Sequence, residues 1–154
     1  MIVVCDTSPL NYLVLIGEVD LLPRLFAEVI LTPGVLAELQ HQRTPAGVAA
    51  SARDLPRWAR VVCPERPIVT LGLGRGEAEA IEVACQVAAA AVLIDERKAA
   101  GIARERGLLV TGTLGVLVLA AEAKIVDLDL SIRRLLQTNF RASPALITDI
   151  LRRR

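Results

Sequence analysis

The stretch MIVVCDTSPLNYL, residues 1–13, carries the first decision about the fold. Ile2 to Cys5 is a short, β-branched apolar run without alternation, the pattern of a strand buried on both faces. It stops at Asp6, and Thr7, Ser8 and Pro9 follow before apolar residues resume at Leu10. Ser8 is placed to cap a helix with Pro9 at its first position, so the Asp6 carboxylate is left at the exit of a buried strand. The device returns in LTPGVLAEL, residues 31–39, where Thr32 and Pro33 follow a second run, and AVLID, residues 91–95, ends another run on Asp95.

Working outward, short β-branched runs alternate with longer segments of helical period, which predicts a parallel sheet covered by helices. Strands are expected at Ile2–Cys5, Val29–Leu31, Arg60–Cys63, Ala91–Ile94 and Leu108–Val110, with a weaker candidate at Ile125–Leu128. Long helices are expected over Gly76–Ala89, Glu96–Arg106, Leu114–Ala123 and Ser131–Gln137, with a last one after Ser143-Pro144. The proline-rich stretch Gln42–Pro67 is the expected excursion or flap. No repeat or linker divides the chain, so one domain over residues 1–154 is expected; a chain of about 150 residues buries roughly 70% of its unfolded surface.

Apolar residues are 53% of the chain and aromatics only 3%, which excludes disorder and argues against stacking-based binding of single-stranded nucleic acid. No apolar run reaches the roughly 18 residues of a membrane span, and no basic segment precedes the first apolar run. The expectation is a cytoplasmic protein with no membrane association. Cys5, Cys63 and Cys85 are widely separated and lack C-x-x-C spacing, so they are expected to be buried thiols rather than a disulfide or zinc framework. The net charge of +1 conceals a C-terminal segment in which Arg133, Arg134, Arg141, Arg152, Arg153 and Arg154 stand against Asp149 alone. Such a segment is either a solvated helix end or a contact for phosphates or an acidic partner.

Ligands of open α/β sheets bind outside the carboxyl ends of the strands, and right-handed crossovers bring those ends to one edge. Asp6 and Asp95 both stand there, although each also has the position of a helix cap worth about 1 kcal/mol. Glu77 lies on the helical stripe of Ile81, Ala84 and Ala88, whereas Glu79, Glu82 and Gln86 share the opposite face, so Glu77 is expected to point to the sheet. A carboxylate on a buried stripe is costly without a cation or hydrogen bonds; the bland alternative is a first-turn acid at the helix N-terminus. Glu38 lies near the inner edge of its helix, with a solvated glutamate as the alternative.

Together, Asp6, Glu38, Glu77 and Asp95 gather four hard oxygen donors near one edge, with no Lys or Arg spaced to neutralise them. That donor set suits Mg²⁺ or Mn²⁺ rather than zinc, and such clusters commonly serve phosphoryl chemistry. Glu96 either assists Asp95 or simply begins the next helix. His41, the single histidine, is expected to be solvated, and no Ser/His/Asp triad has a candidate. In VTGTLG, residues 110–115, Thr111 or Thr113 is expected to cap a helix, or a backbone N–H to meet a phosphate. GLGRGE lacks the third glycine of a dinucleotide fingerprint, because Glu77 stands there, and no phosphate-binding P-loop occurs.

The ordered blocks DTSPLNYL (6–13), LTPGVLAEL (31–39), GRGEAEAIEVA (74–84), LIDERKA (93–99) and GLLVTGTLGVL (107–117) resemble the PIN-domain nucleases. The resemblance is closer to the PIN-like subgroup related to VapC-type toxins. It implies a three-layer α/β/α sandwich with a central parallel sheet and a Mg²⁺- or Mn²⁺-dependent endoribonuclease whose acidic positions fall on Asp6, Glu38, Glu77 and Asp95. It also implies RNA as substrate, a small antitoxin protein as partner and a homodimer. Two departures bear on the subgroup: Ala100 stands where relatives often have Arg, and Asp6 is retained where some have Asn. The other readings are a non-catalytic PIN-like module binding a protein or RNA through its basic C-terminal segment, and an unrelated phosphohydrolase on a similar sheet.

Overall fold

The computed structural model describes residues 1–41, 47–48, 54–68 and 72–153. Its strands are β1 (Ile2–Cys5), β2 (Glu28–Leu31), β3 (Ala59–Val61), β4 (Ala91–Leu93) and β5 (Val110–Thr111). All neighbouring strands are parallel, in the spatial order β3-β2-β1-β4-β5. The helices with described bounds are α1 (Thr7–Leu15), α2 (Leu21–Leu25), α3 (Pro33–Leu39), α4 (Arg75–Gln86), α5 (Arg97–Glu105), α6 (Thr113–Glu122), α7 (Leu128–Leu136) and α8 (Pro144–Arg152).

The unbroken apolar character of β1 follows from its central place. Val3, Val4 and Cys5 are fully buried, and β1 pairs on one side with β2 (Val3 with Val29) and on the other with β4 (Val4 with Val92). Successive residues face opposite layers. Val3, Cys5, Val29, Leu31 and Leu93 pack with α1, α2, α3, α6 and α7; Val4, Ile30, Val92 and Ile94 pack with α4 and α5. This is the expected three-layer α/β/α sandwich. From β1 the chain steps outward through β2 and β3, then returns to lay β4 on the other flank of β1. The strand order therefore reverses between β1 and β4, which is where such sheets open a crevice at their carboxyl ends.

Several boundaries differ from expectation. Helix α1 starts at Thr7 rather than after Ser8, because Asp6 still belongs to the sheet through its amide bond to Leu93 O at 2.9 Å and takes the N-cap position itself. At the far edge, β5 begins two residues late: Gly107 adopts φ +82° and the Leu108 amide closes back onto Ala103. β3 ends at Val61, and the Cys63 carbonyl is taken by the Gln86 side chain at 3.3 Å. Ile125–Leu128 is not a strand; Lys124 turns the chain at φ +60°, and Asp127 caps α7, accepting from the Leu130 amide at 3.1 Å.

Of the three thiols only Cys5 is buried; Cys63 is exposed and Cys85 half-buried, since neither lies on a strand or helix face turned to the core. Part of the Gln42–Pro67 excursion, residues 42–46 and 49–53, lies outside the described residues. Within its described part, Val48 is buried and Leu55 and Trp58 pack on the core. Thr32-Pro33 and Ser143-Pro144 do start helices as expected, Thr32 accepting from Val35 N at 3.3 Å and Ser143 from Leu146 N at 3.1 Å. The C-terminal arginines are partly paired within the chain, Arg134 with Glu18 at 3.5 Å and Arg153 with Asp149 at 2.9 Å.

Candidate active site

Asp6 leaves β1 directly into the crevice. Its side chain makes no capping bond, is 3% exposed, and its Oδ1 is buried without a hydrogen-bond donor. Burial first, and then the charges of Glu77, Glu38 and Asp95, raise the carboxyl to about 7 against a bond from the Thr7 amide that lowers it. Three of the four expected acids thus act on the fourth.

Asp95, two residues beyond β4, is held by α6. Its Oδ1 accepts from the Thr113 amide and its Oδ2 from the Thr113 hydroxyl, both at 2.7 Å. Burial still raises its carboxyl, against both Thr113 bonds. The expected Thr113 cap is therefore reversed: Thr113 is the first residue of α6, and it is the donor to an acid arriving from the sheet. Gly112 permits the approach, since a Cβ there would lie 2.5 Å from Asp95 Oδ1.

Glu38 reaches in from α3. Its Oε2 accepts from the Thr7 hydroxyl at 2.5 Å and its Oε1 from the Gly76 amide at 2.9 Å. Glu77 is half-buried, with Oε1 accepting from the Gly74 amide at 3.3 Å, so the helix N-terminal role is realised. The two carboxylates converge: the point where a Gly74 Cβ would lie is 3.5 Å from Glu77 Oε1 and 3.9 Å from Glu38 Oε1. Burial raises the Glu77 carboxyl, and the neighbouring Glu96 and Glu38 add to it.

Glu96 begins α5 by accepting from the amides of Ala99 at 2.7 Å and Lys98 at 2.9 Å. Those bonds hold its carboxyl below the usual range while it borders Glu77. His41 is exposed, as expected. Tyr12 was not foreseen; burial and then the charge of Asp95 raise its phenol, and its hydroxyl donates to Asn139 at 2.9 Å.

Glu79 corrects the sequence expectation. It is 5% exposed rather than on a solvent face, with Oε1 on the Gly34 amide at 2.8 Å and Oε2 on Arg75 Nε at 2.7 Å. Helix α4 buries one stripe on the sheet and a second on α3, and a single-stripe helical wheel misses the second. The cue lay in the Gly34 and Gly76 positions, which admit close approach.

Among the described residues, no three acid, His or Cys side chains already form a preformed cation cage. Each of Glu38, Glu77 and Asp95 accepts from a backbone amide. The donor set nonetheless fits a hard divalent ion, with the orphaned Asp6 Oδ1 as the most evident vacancy in its hydrogen bonding.

A parallel sheet with acids near its switch point defines an α/β domain with a polar crevice at the carboxyl ends of its strands. Within that class the chain belongs to the PIN-domain family: the family model DUF3368, described as a PIN domain, matches residues 2–154. Members of this family are generally nucleases and usually use divalent metal ions. Among solved structures the chain is similar to a PilT N-terminus domain protein from the hyperthermophilic archaeon Sulfolobus solfataricus, at 14% identity and a TM-score of 0.51. That likeness covers 93% of this chain and 100% of the other, and it concerns the fold. No curated protein matches the chain. Among the described residues, no helix is long and apolar enough to cross a membrane.

Proposed function

We propose that the protein is a divalent-metal-dependent endoribonuclease that hydrolyses RNA phosphodiester bonds, acting in the cytoplasm as the toxin of a toxin–antitoxin pair. The single observation that carries the enzymatic part is the buried, unpartnered Oδ1 of Asp6 at the β1/β4 switch point, within the field of Glu38, Glu77 and Asp95. Family membership supports the nuclease class. One domain over residues 1–154, a homodimer and a small antitoxin protein complete the proposal.

Asp6, Glu77 and Asp95 would hold Mg²⁺ or Mn²⁺, and Glu38 either joins them or orients the attacking water. A bound divalent ion supplies a more acidic water and a counter-charge for the phosphate oxygens. The chain's own contribution is placement: Thr113 keeps Asp95 at the mouth of the crevice, while Thr7 and Gly76 hold both oxygens of Glu38. Such fixed donors align a nucleophile with the bond it attacks.

Purified Asp6→Asn and Asp95→Asn variants, folded by circular dichroism, should each lose Mn²⁺-dependent cleavage of a labelled RNA by at least about a hundredfold, the scale of losing a metal's contribution to the transition state. Undiminished cleavage by both variants would sink the assignment.

A further inference from the structure

We propose that Glu79 is a positioning residue: by closing a reciprocal latch between α3 and α4 it sets the spacing of Glu38 from Glu77. Its consequence for cation binding rests on the function proposed above; the latch itself does not.

The first amides of a helix have no partner within that helix. Gly34 is the second residue of α3, and Gly76 the second of α4. Gly34 N donates to Glu79 Oε1 of α4 at 2.8 Å, and Gly76 N donates to Glu38 Oε1 of α3 at 2.9 Å. Each helix therefore ends on a carboxylate supplied by the other. At both junctions a side chain on the donor residue would have to push the carboxylate away. A Cβ at Gly34 would stand 2.9 Å from the Glu79 carboxylate and from Arg75 Cγ, and one at Gly76 would stand 2.7 Å from Glu38 Oε2.

The charges acting on Asp6 are those of Glu77, Glu38 and Asp95, whereas Glu79 is turned toward α3 and Arg75. Glu79 thus stands outside the acid cluster while fixing the two helices that carry half of it. On α3, Gly34 and Glu38 are one helical turn apart; on α4, Gly76 and Glu79 are nearly so. Loss of the Gly34–Glu79 bond removes one of the two reciprocal ties between the helix starts and loosens the α3–α4 spacing that sets Glu38 against Glu77.

The test compares Glu79→Ala with Glu79→Gln, which keeps an acceptor for Gly34. Amide hydrogen exchange of the metal-free proteins is read at Gly76, whose amide donates to Glu38 rather than to the Glu79 carboxylate, and Mn²⁺ affinity is read by calorimetry. Glu79→Ala should speed Gly76 exchange and weaken Mn²⁺ binding by about tenfold each, the size of effect for groups that orient metal ligands, and Glu79→Gln should restore most of both. Unchanged Gly76 exchange in folded Glu79→Ala overturns the latch, and equal Mn²⁺ affinity of variant and wild type, where the wild type binds the ion, overturns the positioning role. Faster Gly76 exchange beside a wild type that binds no Mn²⁺ upholds the latch and removes the metal site instead. Should Glu79→Ala fail to fold, Gly34→Ala displaces the same carboxylate and is read in the same way, with unchanged Gly76 exchange again overturning the proposal.

Discussion

At the scale of a residue, Asp6 ties the stability of the metal-free protein to pH. Its carboxyl ordinarily titrates near 3.8 and is raised to about 7 in the folded chain. Between those values the folded state holds a proton that the unfolded state has released. The stabilising contribution of protonated Asp6 is thus full below 3.8 and is lost as pH rises through about 7. Glu77 and Asp95, also raised, act in the same direction; Glu96, lowered by its capping bonds, acts in the opposite one. Melting temperatures of the metal-free wild type should therefore fall between about pH 4 and pH 7.5, and Asp6→Asn should remove much of that slope and be the more stable protein at pH 8. Parallel pH curves for the two proteins would show that Asp6 is not raised. A second residue-scale outcome concerns Gly112, where an added Cβ meets Asp95 Oδ1 at 2.5 Å. Gly112→Ala should cost about 1–3 kcal/mol by overpacking and displace Asp95, so that RNA cleavage falls by at least about tenfold. Denaturant unfolding and the cleavage assay check the two parts separately.

At the scale of an element, the helices differ in how firmly they are held. α4 buries Ala80, Ile81, Val83 and Ala84 against the sheet and Glu79 against α3. α8 buries no residue, leans on the core through Ile147, Ile150 and Leu151, and starts with the Ser143 cap. Native-state hydrogen exchange should show α8 opening at a lower free energy than α4. Ser143→Ala should lower α8 protection by about 1 kcal/mol while leaving that of α4 unchanged. Equal protection in the two helices would contradict this ordering. The same elements show what sequence carried. Thr32-Pro33 and Ser143-Pro144 were legible because a cap and a first-turn proline are local chemistry. The start of α1 was not, since the Asp6 amide is claimed by Leu93 of a strand distant in sequence. The stretch Ile125–Leu128 resembled a strand by composition, yet Ile125 and Val126 pack on the core from the link between α6 and α7, and Leu128 begins α7. Glu79 was misplaced for a related reason, because the covering surface belongs to α3 and periodicity in α4 carries no record of a neighbouring helix.

At the scale of the whole molecule, the sheet order β3-β2-β1-β4-β5 does the gathering. It sets β1 and β4 side by side at the reversal, so Asp6 and Asp95 emerge next to each other although they are far apart in the chain. The sequence permitted this much, because strand exits are legible and right-handed crossovers leave few arrangements. It did not specify the amides that hold the acids in place: Thr113 on Asp95, Gly76 on Glu38 and Gly74 on Glu77. Those bonds depend on helix termini brought together only by the completed fold. Whether the four acids form one divalent-cation site is decided by anomalous scattering from crystals soaked in Mn²⁺. A manganese peak should lie within about 2.0–2.6 Å of Asp6 Oδ1 and of an Asp95 or Glu77 oxygen, the span of hard-cation coordination, with no such peak in Asp6→Asn crystals. A fully soaked wild-type crystal with no peak in the crevice, or with its manganese bound elsewhere, would contradict it.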